Sequence, residues 1–441
     1  MKRSPVDSYS ETLERIYNLR GGVIDLRLDR MERALALFNH PEKTFPSFHI
    51  AGTNGKGSTA AMLHRILCLG GYRTALYTSP HLVSFTERIR IGDQEIAPDE
   101  VVALADEVWQ CTLAADIPLT FFEFVTVMAF VHFARQEVDV AVVEVGLGGR
   151  LDATNLVSPV VSVITTISKD HEAYLGSDLR SIAREKAGII KPKVPIVLGV
   201  LPAEVLDLFE EIASGREART YFFEREFRIF LKNQGLFDYI GIHRNIPELS
   251  SALRGRHQRN NAAVALGALE VAGGAFPVSG ALIRKGLATV SWPGRFEVML
   301  ERPIVVLDGA HNGAGVKALV ETIEDFRQGR KIKLLFASMD DKEWRLMLNM
   351  LVGVADEIVL TRVSMERSAD PKQLASHIAG RIPHRVMNDA RQGLGYLLTS
   401  ARPNDIVLVA GSLYLLSEIR PQVQEMVSAR LAGAIAPNST V

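Results

Sequence analysis

Ala51-Gly52-Thr53-Asn54-Gly55-Lys56-Gly57-Ser58-Thr59 is the stretch whose reading decides the fold. It follows the apolar run Phe45 to Ile50, which reads as a buried strand broken by Pro46. It opens onto Ala60-Ala61-Met62-Leu63-His64-Arg65-Ile66-Leu67, whose apolar positions recur at helical spacing. Strand, glycine-rich turn and helix together make an anion site. Glycines let the backbone approach a phosphate, and the free N–H groups and positive dipole end of the new helix stabilise its charge. Gly52, Thr53, Asn54, Gly55, Lys56, Gly57 and Ser58 are therefore the expected nucleotide-binding residues, with Lys56 reaching a terminal phosphate and Ser58 or Thr59 bonding phosphate or metal. The spacing departs from the Walker pattern, because only Thr53 and Asn54 stand between Gly52 and the Gly55-Lys56 pair. The competing reading is a plain αβ turn with a surface lysine.

A chain of 441 residues predicts two or three domains with a large core. A net charge of −1 offers no global attraction for nucleic acid or an anionic membrane. Cys68 and Cys111 lack metal-ligand spacing and read as core thiols of a reducing compartment. The start, Met1-Lys2-Arg3-Ser4-Pro5-Val6-Asp7, has no apolar region behind its basic pair, and no run of about 18 apolar residues stands ready to span a bilayer. The expected setting is the cytoplasm.

Around the turn the chain alternates. Residues 8–40 read as two helical pieces parted by Gly21-Gly22, and Thr74 to Thr78 as a strand that runs into Ser79-Pro80-His81-Leu82. The loop continues through Thr86-Glu87-Arg88-Ile89-Arg90. Helices are expected at 98–115 and 121–136. Val138 to Val145 is an almost continuous β-branched run, the mark of a strand buried on both faces of a parallel sheet, and it delivers Glu144. Val160 to Ile167 repeats the pattern before Lys169-Asp170-His171, and a helix from about Asp178 carries Arg184-Glu185-Lys186. A strand at 195–200 and a helix over 202–213 follow. Residues 216–247, aromatic-rich and turned at Asn233-Gln234-Gly235, read as an antiparallel hairpin region at the sheet's edge, and 258–273 resume helix. Pro293-Gly294 is the expected linker, giving domains of 1–294 and 295–441. Beyond it, strands at 303–307, 331–337, 357–361 and 405–410 alternate with helices, which predicts a second mostly parallel α/β domain. Ala432 to Val441 reads as a loose tail.

Motifs in this order resemble those of folylpolyglutamate synthase and dihydrofolate synthase, of the Mur ligase superfamily. They are His49 to Ser58, Thr78-Ser79-Pro80-His81-Leu82, Glu144 to Asn155, Glu185 to Pro192, Gly255-Arg256-His257-Gln258-Arg259-Asn260-Asn261-Ala262, Trp292-Pro293-Gly294-Arg295-Phe296-Glu297 and Leu307-Asp308-Gly309-Ala310-His311-Asn312. One glycine loop is weak, whereas seven motifs in order from about residue 20 to Tyr414 cover nearly the whole chain.

The resemblance implies an N-terminal P-loop ATPase domain with a mainly parallel sheet, a C-terminal Rossmann-like α/β domain, and ATP-dependent amide ligation. ATP would phosphorylate a folate carboxylate, and L-glutamate would displace phosphate from the acyl phosphate. Two Mg²⁺ ions would bring the two anions together. By this resemblance Ser79, Glu144 and His171 are the metal ligands; hard cations suit the two oxygen donors, and His171 is the unusual member. Lys186 resembles a lysine that the superfamily carbamylates with CO₂, which implies an anionic group that joins those ligands in organising the Mg²⁺; with Lys56 and His171 it forms the implied catalytic set. Asn261 falls where the family contacts adenine, and Arg295, Asp308 and His311 where the linker and second domain reach ATP. Phe121, Phe122 and Asp152 sit where bifunctional members hold a pterin, with stacking from the rings and a hydrogen-bond acceptor from Asp152.

The bland alternatives are a turn cap for Ser79, a satisfied polar residue for His171, a solvated charge for Lys186 and core packing for the phenylalanines. For Glu144 there is little bland alternative, since an unpaired buried carboxylate costs several kcal/mol. The resulting expectation is folylpolyglutamate synthase activity, with dihydrofolate synthase activity beside it. A peptidoglycan-precursor ligase shares fold and mechanism, but the Gly55-Lys56-Gly57-Ser58 turn and the Ser79 loop favour the folate branch. A non-catalytic nucleotide-binding regulator would be expected to have lost Lys56, Ser79, Glu144, His171 or Lys186.

Overall fold

The computed structural model describes residues 8–19 and 27–435, and the side chains of all these but 431–435. Gly21-Gly22 lies outside the described residues, as does the expected tail from residue 436 on. These residues divide into two compact units. One takes in the chain up to Ala252 together with Gln258–Val290. The other takes in Leu253–His257 and the chain from Ser291.

Strands of the first unit are β1 (Ser47–Ala51), β2 (Thr74–Tyr77), β3 (Ile89–Ile91), β4 (Gln94–Glu95), β5 (Val140–Glu144), β6 (Pro159–Thr166), β7 (Ile196–Val200), β8 (Thr220–Phe222), β9 (Arg228–Leu231), β10 (Phe237–Ile240) and β11 (Asn245–Leu249). Its helices are α1 (Tyr9–Asn18), α2 (Asp29–Ala36), α3 (Lys56–Leu69), α4 (Pro98–Ala114), α5 (Phe121–Arg135), α6 (Glu172–Leu175), α7 (Leu179–Ala187), α8 (Leu206–Gly215), α9 (Arg256–Val271) and α10 (Gly280–Thr289). The first eight strands pair in the order β4-β3-β2-β5-β1-β6-β7-β8. β2, β5, β1, β6, β7 and β8 run parallel, and β3 and β4 are antiparallel at one edge.

The apolar runs explain this order. β1, β2 and β5 are buried at every position, which only a central strand covered on both faces permits. Register then does the placing: Ile50 pairs with Glu144, Ala51 with Ile164, and Tyr77 with Val143. The loops after four strands therefore leave the same carboxyl edge, where open α/β sheets bind ligands.

α5 is buried along most of its length, with Phe130 and Phe133 edge-on to Phe45 at 6.0 Å. Thr120 caps it, donating its amide to Glu123 at 2.8 Å, and Arg30 clasps the same carboxylate with Nη2 at 2.9 Å.

The region 216–247 departs from expectation. β8 joins the main sheet in parallel, while β9, β10 and β11 form an antiparallel sheet of their own in the order β11-β10-β9. The turn at Asn233–Gly235 does join β9 to β10. Glu270 of α9 holds this sheet's last turn: its carboxylate accepts from the Tyr239 hydroxyl and the Ile242 amide, both at 2.8 Å, and from the Arg244 amide at 3.1 Å. The sequence reading also passed over β3, β4 and α10.

The second unit has strands β12 (Glu297–Glu301), β13 (Ile304–Asp308), β14 (Ile332–Phe336), β15 (Glu357–Leu360), β16 (His384–Val386) and β17 (Ile406–Ala410), in the order β12-β13-β17-β14-β15-β16. All are parallel but β12. Its helices are α11 (Gly313–Arg327), α12 (Trp344–Val352), α13 (Pro371–Ile378), α14 (Ala390–Ser400) and α15 (Leu413–Ile435). Arg420 of α15 grips Glu297 of β12 through Nε and Nη2, at 3.0 and 2.8 Å. α15 continues through Ala432–Ile435, where a loose tail was expected.

Glu270→Ala should destabilise the first unit by about 3 kcal/mol, because it leaves two half-buried amides and a buried hydroxyl without their acceptor. Urea unfolding followed by circular dichroism measures it; a change under about 0.5 kcal/mol, as at an ordinary surface site, would contradict the assignment.

Candidate active site

The phosphate-type loop lies at the carboxyl end of β1, pinned from the side by the end of β6. The Thr53 amide donates to the Thr166 carbonyl at 2.8 Å, and the Asn54 amide to the Thr166 hydroxyl at 3.0 Å. The Thr165 hydroxyl donates to the Asn54 carbonyl at 2.6 Å, and the Thr53 hydroxyl to the Ser168 carbonyl at 3.0 Å. Such close contact dictates two of the glycines. Gly52 has φ +148°, and a Cβ there would stand 2.0 Å from Thr165 Oγ1. Gly55 has φ +85°, and a Cβ there would stand 2.5 Å from Asn261 Oδ1. Asn261, expected to contact adenine, thus sits against the loop, its amide donating to Gln258 at 3.1 Å.

Gly55 caps α3, so Lys56, Gly57 and Ser58 form its first turn and turn their amides toward the loop. Lys56 Nζ donates to the Gly52 carbonyl at 3.1 Å and to the Thr53 carbonyl at 3.3 Å. Lys186 of α7 reaches the same Gly52 carbonyl, its Nζ donating at 3.0 Å. Lys186 is 5 % exposed. Burial, then the charge of Lys56, pushes its pKa down to about 7 against the pull of Asp170 and Asp152. A lysine of this kind is largely uncharged at slightly alkaline pH.

Ser79 follows β2, and its amide donates to Glu144 Oε2 at 3.2 Å. Glu144, buried at the end of β5, and the hydroxyl of Ser79 are oxygen donors of the kind a hard divalent cation takes. His171 is in the left-handed region at φ 53° and heads α6, with its side chain about half exposed. Asp170 next to it is nearly covered, with Oδ1 3.9 Å from His171 Nε2. Among the described residues no cluster of three His, Cys, Asp or Glu side chains forms a metal site by itself.

Asp152, expected as a hydrogen-bond acceptor for the substrate ring, already accepts bonds within its own loop. Its carboxylate is buried and accepts from the Leu147 amide at 2.8 Å and from the Thr154 amide and hydroxyl, the amide at 3.0 Å. A carboxylate has about four acceptor positions, so this one is largely occupied in shaping its own loop. Thr154 gives its hydroxyl proton to Asp152, so His49 Nε2, 2.9 Å away, must donate to it. Burial holds the His49 pKa down to about 3, keeping that ring neutral. Phe122 packs on the same loop: a Cβ on Gly146 would stand 2.4 Å from its ring. Phe121 faces Tyr17, with ring centroids 5.9 Å apart.

In the second unit Asp308 ends β13 and accepts from the Phe296 and Ala310 amides, each at 2.9 Å. Burial raises its pKa, and Arg295 opposes that rise. His311 Nδ1 donates to the Gly309 carbonyl at 2.9 Å.

Sequence reasoning named neither Thr165, Thr166 nor Asp170 as part of the site. Their signal was position alone: Thr165 and Thr166 end the buried strand next to the phosphate-type loop, and Asp170 follows shortly after it.

Residues 50–269 match the Mur ligase middle domain, and residues 294–413 match the glutamate ligase domain of Mur ligase. The chain is 35 % identical to the dihydrofolate synthase/folylpolyglutamate synthase of Bacillus subtilis, over 90 % of this chain and 95 % of that protein. Among solved structures, Escherichia coli FolC in complex with DHPP and ADP superposes with a TM-score of 0.88 at 32 % identity, covering 97 % of this chain and all of that one. The bifunctional folylpolyglutamate synthase/dihydrofolate synthase of Yersinia pestis, complexed with AMPPNP and Mn ion, gives a TM-score of 0.86 at 32 % identity, covering 96 % of this chain and 100 % of that one. The chain belongs to the Mur ligase family, in its dihydrofolate synthase/folylpolyglutamate synthase branch.

Proposed function

We propose that this chain adds L-glutamate to folates at the expense of ATP, with the carboxyl edge of the first unit's sheet as the phosphoryl-transfer centre. One observation carries the reading: the amines of Lys56 and Lys186 converge on the Gly52 carbonyl, at 3.1 and 3.0 Å, inside a loop built to hold an anion. An acceptor carboxylate oxygen attacks the terminal phosphorus of ATP, and ADP leaves. The amine of L-glutamate then attacks the acyl carbon; the amide C–N bond forms, inorganic phosphate departs with the C–O bonding pair, and the amine proton passes to solvent.

Lys56 and the first-turn amides of α3 stabilise charge on the transferring group. Ser79, Glu144 and His171 would hold divalent metal, two Mg²⁺ in our reading, which when bound neutralises and orients the phosphates. Asn261, and from the second unit Arg295, Asp308 and His311, are assigned to the nucleotide. Lys186 suits CO₂ uptake, because burial leaves it the free lone pair that the reaction needs. The neutral amine nitrogen bonds to the carbon of CO₂, one N–H proton is released to water, and the neutral amine becomes an anionic carbamate. Phe121 and Phe122 offer stacking surface for the acceptor ring, so dihydropteroate and tetrahydrofolate are both assigned as acceptors. Asp152 shapes the loop on which Phe122 packs. The chain acts as a cytoplasmic monomer on small molecules, with neither nucleic acid nor membrane as partner; among the described residues no helix is long and apolar enough to cross a membrane.

Phosphate release from ATP should require both tetrahydrofolate and L-glutamate. Lys56→Ala should lower turnover by roughly a hundredfold while leaving the melting temperature nearly unchanged. Near-normal turnover in that variant would remove the loop from the chemistry.

With ¹³C-bicarbonate, carbon NMR should show a carbamate signal that is absent from Lys186→Met. The signal should fade as pH falls below about 7, where the amine is protonated. Lys186→Arg should be inactive, since a guanidinium does not take up CO₂ and carries the wrong charge. An active Arg variant would make Lys186 only a cation.

Wild-type enzyme should ligate glutamate to both dihydropteroate and tetrahydrofolate, and Asp152→Ala should lose activity on both to a similar degree. Selective loss on dihydropteroate would mean that Asp152 touches the ring after all.

A further inference from the structure

The dipeptide Glu87-Arg88 lies between two parts of the site that the chemistry must keep in register, and neither residue has a role in the reaction described above. Glu87 organises the backbone after Ser79: its carboxylate accepts from the amides of Leu82, Val83 and Ser84 at 2.7, 2.8 and 2.7 Å. Arg88 works through its side chain. It is 3 % exposed, and its Nε donates to His81 Nδ1 at 2.7 Å. Its guanidinium carbon stands 5.3 Å from the centroid of the Phe121 ring. Tyr17 closes the group, 5.9 Å from Phe121 and 6.3 Å from His81. The Arg88 carbonyl also accepts from the Thr78 amide at 3.1 Å, immediately before Ser79.

A buried guanidinium is costly, and its planar shape is what lets one group serve two neighbours: an edge N–H toward an imidazole, a face toward an aromatic ring. The hydrogen bond also sets the state of His81. With Nε as donor, Nδ1 must present its lone pair, so the ring proton is on Nε2. One cation thus ties His81, two residues from Ser79, to Phe121 on α5. We propose that Arg88 is a positioning residue of the ligase, holding the Ser79–Leu82 loop and Phe121 in one register and thereby setting how tightly the folate-type acceptor is held. The inference rests on assigning Phe121 to the acceptor site.

Lysine keeps the charge but lacks both the Nε–H at that depth and the flat face, so Arg88→Lys should behave like Arg88→Met rather than rescue it. Both variants should raise KM for tetrahydrofolate at least tenfold with kcat changed less than threefold. Affinity for a non-hydrolysable ATP analogue, measured calorimetrically without acceptor, should stay within twofold of wild type. His81→Leu should shift KM in the same direction, and adding it to Arg88→Lys should cost little more, because the two share one interaction. If Arg88→Met fails to fold, Arg88→Lys and His81→Leu carry the test. Nucleotide affinity falling in step with acceptor binding would mark general loosening and overturn the proposal. Phe121→Ala separates the two layers. An unmoved KM there removes the acceptor assignment and the proposal with it. A raised KM in Phe121→Ala, with an unmoved KM in Arg88→Lys and His81→Leu, overturns the proposal alone.

Discussion

Everything in the first unit's site depends on how closely the Gly52–Ser58 loop lies against the end of β6. Threonine hydroxyls and amides bind the two segments from both sides, and the fit leaves no room for a Cβ at Gly52. The loop is therefore preorganised: the Thr53 and Asn54 amides and the Asn54 carbonyl are tied to the end of β6. That matters for phosphate, because fixed dipoles stabilise charge without reorganising when the charge arrives. A flexible glycine loop of the same composition would first have to be ordered.

Preorganisation also explains the unusual electrostatics. Two lysines meet at one carbonyl, an arrangement that water would disfavour and that burial makes worse for whichever charge is better covered. Lys186 is the covered one, and its pKa falls to about 7. The same geometry that accumulates positive charge for a polyanion thus produces one amine that is easily neutral, and chemically more versatile than a surface lysine.

The sheet was legible because its strands are buried on both faces. Val140–Glu144 and Pro159–Thr166 carry β-branched runs that fit no other environment, and the glycine turn marks where the first helix begins. The β9–β11 sheet was less so. Its strands are short, and β9 is largely exposed, so periodicity showed local pairing without showing which sheet receives it. α10 and β12 carry mixed faces and no distinctive turn. Among the residues assigned to the candidate site, Lys56, Ser79, Glu144 and Lys186 could be named from motif order. Asp170, Thr165 and Thr166 were not, because their importance lies in what they face across the sheet. The hydrogen bonds of Asp152 were not legible for the same reason: a carboxylate in a glycine-rich loop looks available until the neighbouring amides are seen to point at it.

Asp152 belongs to a pattern that changes how acidic residues in this chain are to be read. Glu87, Glu270 and Asp308 also accept two or more backbone amides, so each is a fastening for a loop or strand end. A carboxylate suits that task better than an amide or hydroxyl, since charge-assisted bonds to N–H groups are roughly twice as strong and several can share one group. The consequence is that carboxylates near a phosphate site are a poor count of metal ligands. What distinguishes Glu144 is its address at the end of a central strand, paired in register with Ile50 just before the phosphate-type loop and bonded to the amide of Ser79. The fastening carboxylates hold loops and strand ends still; Glu144 stands at the carboxyl edge of the sheet, between the phosphate-type loop and the Ser79 loop.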